Sequence, residues 1–156
     1  MSLNSDWIEL LKIFTKEKVR FLVVGGHAYV AHAPTRSTDD LDLWVEPTPE
    51  NAERVWKSLV RFGAPLRVLK PEDLLKTTTV YQMGQPPNRV DILTGIAALT
   101  FDEAWSSRVA AKLGGVPVFM LSREDLIRNK LEAGRPQDLL DVEKLRKTKR
   151  RKPKNR

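Results

Sequence analysis

A chain of 156 residues that is 41% hydrophobic and 30% charged has the size and make-up of one globular domain with a single core. No apolar run reaches the roughly 18 residues of a membrane span, and the opening MSLNSDWIEL lacks the basic and apolar regions of a secretory signal. The absence of cysteine excludes disulfides and thiolate chemistry and fits a cytoplasmic protein.

The net charge of +7 sits at one end of the chain. The last ten residues, KTKRRKPKNR, hold seven Lys or Arg and no acid, so residues 1–146 have no net charge. The expected organisation is therefore a domain over 1–146 and a basic, disordered tail over 147–156. Such a tail binds polyanions such as RNA, or only keeps the chain in solution.

Residues 5–18 read as a helix, capped by Ser5, with Trp7, Ile8, Leu10, Leu11 and Phe14 at helical spacing. Phe21–Val24 is apolar throughout, as in a strand covered on both faces. Gly25 and Gly26 lead into a short helix over 27–33 that Pro34 must end. After a polar loop, Leu41–Val45 reads as a strand in which Leu41, Leu43 and Val45 alternate with Asp40, Asp42 and Trp44.

Thr48 and Pro49 start a helix with Ala52, Val55, Trp56, Leu59 and Val60 apolar, and Gly63 ends it. Pro71–Leu75 is one helical turn. Residues 78–83 and 89–94 form a hairpin, and 108–113 with Val116–Met120 form a second around Gly114 and Gly115. Thr100 and Glu103 have the spacing of a capping box. Ser122 caps a helix that Gly134 stops, and Pro136 opens a last one with Leu139, Val142 and Leu145 on one side. This order predicts an α/β (α+β) domain, one mixed sheet flanked by helices.

The chemistry concentrates in residues 21–46. Asp40 and Asp42, two apart on a strand, share a face with Cα atoms roughly 7 Å apart. A glycine pair at the end of the preceding strand lets a phosphate approach the backbone N–H groups of the next helix. Asp91, in the otherwise apolar Val90-Asp91-Ile92-Leu93, is costly in a core unless paired or metal-bound. If its strand lies beside Leu41–Val45, three carboxylates meet, and a divalent cation relieves their repulsion. Oxygen ligands without His or Cys favour Mg²⁺ or Mn²⁺.

Gly25-Gly26, thirteen residues, Asp40-Leu41-Asp42 and then Asp91 resemble the nucleotidyltransferase signature of the DNA polymerase β superfamily. Arg36 to Leu43, with Asp125-Leu126-Ile127, Lys130, Arg135, Asp138-Leu139 and Asp141-Val142, is similar to the AbiEii-like minimal nucleotidyltransferases, several of them toxins of toxin–antitoxin pairs. The resemblance spans about residues 20–145. It implies that Asp40, Asp42 and Asp91 are the catalytic, metal-binding triad. Gly25, Gly26, Arg36, Lys130 and Asp138 are then the candidates for contact with the nucleotide. It also implies transfer of a nucleoside monophosphate from an NTP to an acceptor hydroxyl. RNA or tRNA is the favoured acceptor through the basic tail, and an antitoxin-like protein is a candidate partner.

Plainer readings stand beside these. Asp40 and Asp42 can be solvent-facing strand residues, and Asp91 can form a structural ion pair with Arg89. Lys130 can extend its ammonium to water. Asp138 can pair with Lys130 or Arg135, or serve as an acid at a helix N-terminus. His27 and His32 lie on different helix faces and make no metal pair. The acceptor can instead be a small molecule or a partner protein, and a catalytically silent nucleotide- or nucleic-acid-binding module would share the fold.

Overall fold

Trp7, Leu10, Leu11 and Phe14 recur on one helix face and all are buried, so Ser5–Lys16 forms α1 against the core. This computed structural model describes residues 4–34, 38, 40–85 and 87–148. The cap of α1 is Asn4 rather than Ser5: its side chain accepts the Asp6 N–H at 2.7 Å. The helix ends at Lys16, two residues short of the expected limit.

The remaining elements follow in chain order. They are β1 (Phe21–Val24), α2 (Gly25–His32), β2 (Leu41–Val45), α3 (Pro49–Phe62) and a 3₁₀ turn (Pro71–Leu75). Then come β3 (Val80–Met83), β4 (Val90–Leu93), α4 (Phe101–Ser106), β5 (Val109–Leu113), β6 (Val116–Met120), α5 (Arg123–Ala133) and α6 (Pro136–Arg146). The six strands make one mixed sheet in the order β3-β4-β2-β1-β6-β5, flanked by helices in a single domain.

Both expected hairpins form, β3 with β4 and β5 with β6, each antiparallel. They attach to the antiparallel central pair β1–β2 by parallel contacts, β4 to β2 and β6 to β1. All four residues of β1 are buried, as its continuous apolar run requires of a strand covered on both faces. The parallel β2–β4 contact matters most for the site. It aligns Leu41 with Val90, Asp42 with Asp91 and Leu43 with Ile92.

Two helix faces depart from expectation. Val60 on α3 is 57% exposed, because the buried row runs through Ala52, Val55 and Leu59 and leaves Val60 to one side. On α6, Leu139 is 49% exposed, and the inward row is Asp138, Asp141, Val142 and Leu145. The two acids turn inward because a buried cation from α5 meets them there.

Candidate functional site

Gly25 is the first residue of α2, so the glycine pair belongs to the helix's first turn rather than preceding it. Gly25 has φ +64°, a left-handed conformation that disfavours any side chain. A Cβ on Gly25 would lie 2.1 Å from Asp42 Oδ2, and one on Gly26 would lie 2.2 Å from Thr38 Oγ1. The start of α2 therefore passes directly against the carboxylate strand. Register explains why: Val24, the last residue of β1, is the partner of Asp42 on β2.

Asp42 and Asp91 are direct partners across the parallel β2–β4 ladder, and their side chains fall on the same face. Burial first, then the charges of Asp91 and Asp40, push the Asp42 carboxyl up to about 7. Burial also raises Asp91, and the Arg89 guanidinium partly offsets it. Gln82, opposite Asp91 on β3, donates to Asp91 Oδ2 at 3.5 Å.

Asp40 immediately precedes β2. Arg89 Nη2 donates to its Oδ2 at 2.9 Å, while Arg89 Nε lies 3.2 Å from Asp91 Oδ1. The second contact is an ion pair without hydrogen-bond alignment: among the described residues, Asp91 Oδ1, Arg89 Nε and Asp40 Oδ1 are buried atoms lacking a hydrogen-bond partner. The Arg89–Asp91 pair offered as the plain alternative is thus present, and it extends to Asp40.

His27 completes the surroundings. Burial lowers its imidazole, the charge of Asp40 works against that shift, and Trp7 meets the ring edge-on at 5.3 Å between centroids. His32 lies elsewhere, with its ring nitrogen 2.8 Å from the Leu121 carbonyl.

The donor chemistry of these acids fits a hard divalent cation. Asp40 and Asp91 each carry a buried oxygen without a hydrogen bond, and burial, then the charges of Asp91 and Asp40, drives Asp42 toward neutrality against the partial offset of Arg89. Among the described residues, however, no three acids, imidazoles or thiols stand in an arrangement that could hold a metal ion. The Arg89 guanidinium occupies the space between Asp40 and Asp91.

The other predicted residues fall into two groups. Arg36 lies outside the described residues, as do Asp39 and residues 149–156 of the tail. Lys130 is 8% exposed, with its ammonium 2.8 Å from Asp141 Oδ2 and 3.5 Å from Asp138 Oδ1, and 5.5 Å from the ring centre of Tyr29 on α2. It does not reach water, contrary to the plain reading.

Asp138 accepts two hydrogen bonds from the Arg135 side chain, at 2.6 and 3.2 Å. Its burial works to raise its pKa, yet Arg135 and Lys130 hold it below the usual carboxylate range. Asp141, fully buried and also bonded by Gln137, was named only within the AbiEii-like pattern, and its pairing with Lys130 was not expected. Its helical spacing, three residues after Asp138, is the further signal that points to it. Arg89 was read only as a partner of Asp91, and its bridge to Asp40 appears once β4 lies beside β2.

Residues 5–149 match the profile of a family described as "Nucleotidyltransferase of unknown function (DUF6036)". The AbiEii-like assignment stays a resemblance. No protein of curated function matches the chain in sequence.

Among solved structures, the chain is similar to the lincosamide antibiotic adenylyltransferase LnuA bound to lincomycin. That likeness has 13% identity and a TM-score of 0.59 over 94% of this chain and 98% of the other. It is also similar to ANT(2")-Ia in complex with adenylyl-2"-tobramycin, at 19% identity and TM-score 0.57 over 89% and 84%. A third likeness is to an antigenic nucleotidyltransferase-like protein from Paracoccidioides brasiliensis, at 19% identity and TM-score 0.54 over 93% and 78%. At these identities the three show a shared fold.

Proposed function

The chain belongs to the DUF6036 nucleotidyltransferases, and from that premise we propose that Asp40, Asp42 and Asp91 serve a divalent-cation-dependent transfer of a nucleoside monophosphate from an NTP to an acceptor hydroxyl. The observation that carries the reading is the register of Asp42 against Asp91 with Gly25 pressed onto Asp42. It joins an acid cluster to a helix start bare of side chains.

In this reaction the acceptor oxygen forms a bond to the α-phosphorus, the bond to the bridging oxygen breaks, and pyrophosphate leaves. Asp91 takes the hydroxyl proton. Gly25 and Gly26 leave the first N–H groups of α2 open to the triphosphate, and Arg36 and Lys130 are the cationic candidates beside it. Asp138 orients Lys130, which it approaches at 3.5 Å. Asp40, Asp42 and Asp91 would hold the cation, of the Mg²⁺ or Mn²⁺ class; when bound, it neutralises their charge and that of the phosphates. The chain's own contribution is positioning.

For the acceptor, the basic end of the chain favours RNA, a tRNA being one form. Seven cationic residues in the last ten form a polyanion anchor. Removing residues 147–156 is expected to weaken RNA binding and flatten its dependence on salt; unchanged binding and slope would detach RNA from the proposal. A second reading, a small-molecule acceptor, is favoured by the shared fold with a lincosamide and an aminoglycoside enzyme. A toxin role with an antitoxin partner rests on the AbiEii-like resemblance, and a cytoplasmic site of action rests on the cysteine-free composition.

One experiment separates the acceptor classes. The protein is incubated with α-labelled NTPs, Mg²⁺ and whole-cell extract, and label is followed into RNA, protein and small molecules. Label in RNA supports the first reading, label in small molecules the second, and label in protein a protein acceptor. Label in none of the fractions counts against transfer.

A further inference from the structure

Arg89 stands two residues before Asp91, so its side chain leaves the backbone on the same face as that carboxylate. From there its guanidinium spans to Asp40, the acid on the neighbouring strand, at 2.9 Å. One side of the bridge is well formed. The other is not: Nε and Asp91 Oδ1 are 3.2 Å apart without hydrogen-bond alignment, and both atoms are buried. A structural ion pair in a site evolved around it tends toward the aligned, forked geometry that a guanidinium offers a carboxylate. Here one cation faces three acids, and it satisfies two of them unequally.

A guanidinium keeps its charge at any working pH, so it cannot share ligand oxygens with a divalent cation by losing a proton. It must move instead, and its side chain is 30% exposed, which gives it a route toward solvent. Its backbone lies just before the first residue of β4, so its departure need not disturb the ladder that aligns Asp42 with Asp91.

We propose that Arg89 is an internal counter-ion occupying the metal position, so that cation loading and withdrawal of Arg89 from Asp40 and Asp91 are one coupled event. The inference rests on the reading of Asp40, Asp42 and Asp91 as the metal-binding acids. It accounts for a site with the right donors that is not preassembled: the resting arrangement is closed on its own cation.

The test is a calorimetric titration of Mn²⁺ into the full chain as wild type, Arg89→Ala, Arg89→Gln and Asp42→Asn, with thermal melts in the absence and presence of Mn²⁺. Removing the competing cation is expected to tighten Mn²⁺ binding by roughly tenfold in both Arg89 variants. Their metal-free melting temperatures fall, and Mn²⁺ raises them by more than it raises wild type. A merely structural Arg89 would lower stability and leave Mn²⁺ affinity unchanged or weaker. That result, with Asp42→Asn still abolishing binding, overturns the counter-ion role and leaves the acid site standing.

Mn²⁺ binding that is absent, or indifferent to Asp42→Asn, overturns both. Should the Arg89 variants fail to fold, the wild-type chain still decides. Its Arg89 Nε–H resonance is expected to shift and exchange faster with water as Mg²⁺ is added, and a resonance unmoved at saturating Mg²⁺ overturns the proposal.

Discussion

Asp42 on β2 and Asp91 on β4 are direct partners in a parallel ladder, so their carboxyls leave the sheet side by side on one face. Two acids placed this way are a poor way to stabilise a sheet: a directly opposed like-charged pair is unfavourable, and burial raises both carboxyls further. The arrangement gains a purpose if something positive is to arrive. Arg89 supplies a partial substitute in the meantime.

The raised Asp42 carboxyl gives the metal-free protein a characteristic response to pH. A group at about 7 in the folded chain and 3.8 as its ordinary value binds more protons when folded, between those limits. Its contribution to stability is therefore complete below pH 3.8 and is lost as pH rises through about 7. In chelator-treated protein, this group makes the chain less stable at pH 8 than at pH 5.5. Asp42→Asn removes most of that difference, which melts of both proteins at the two pH values will show.

Gly25 and Gly63 make a matched pair of substitutions. Both have positive φ, +64° and +87°, but a Cβ on Gly63 would meet nothing within 4 Å, whereas one on Gly25 would strike Asp42. Replacement by Ala is expected to cost about 1 kcal/mol at Gly63, from backbone strain, and about 3 kcal/mol at Gly25, where a displaced carboxylate adds to it. Denaturant midpoints measure both, and only Gly25→Ala is expected to lose transferase activity.

Lys130 is held among Asp138, Asp141 and the Tyr29 ring. Lys130→Met removes the cation that Asp138 and Asp141 share, while Asp138 keeps Arg135, and is expected to cost about 3–5 kcal/mol. Adding Asp141→Asn to it should recover part of that loss, because the acid that Lys130 meets at 2.8 Å then carries no charge. A double-mutant cycle in urea measures the coupling. NTP affinity of the double variant then reports whether Lys130 also serves the nucleotide: wild-type affinity would confine it to the fold.

The alternation of Asp40, Leu41, Asp42 and Leu43 made the acid face of β2 legible, since strand side chains have a period of two. Asp91 was legible for a different reason, a charge in an apolar strand that demands a partner. The hairpins and the helix stops at Gly63 and Gly134 followed from turn chemistry. What stayed hidden depended on which elements meet. The Arg89 bridge to Asp40 exists only because β4 lies parallel to β2, a contact between segments 49 residues apart. The inward turn of Asp138 and Asp141 ran against the apolar count that put Leu139 on the buried side, because an ion cluster outweighed it.

The most direct measurement is pyrophosphate release and α-label transfer from NTP in the presence of Mg²⁺ and cell extract, comparing wild type with a folded Asp42→Asn. The account predicts Mg²⁺-dependent transfer by the wild type and a loss of about a hundredfold or more in the variant, the scale seen when a group stabilising transition-state charge is removed. Equal turnover by the two proteins, or transfer by the wild type that ignores Mg²⁺, would contradict it.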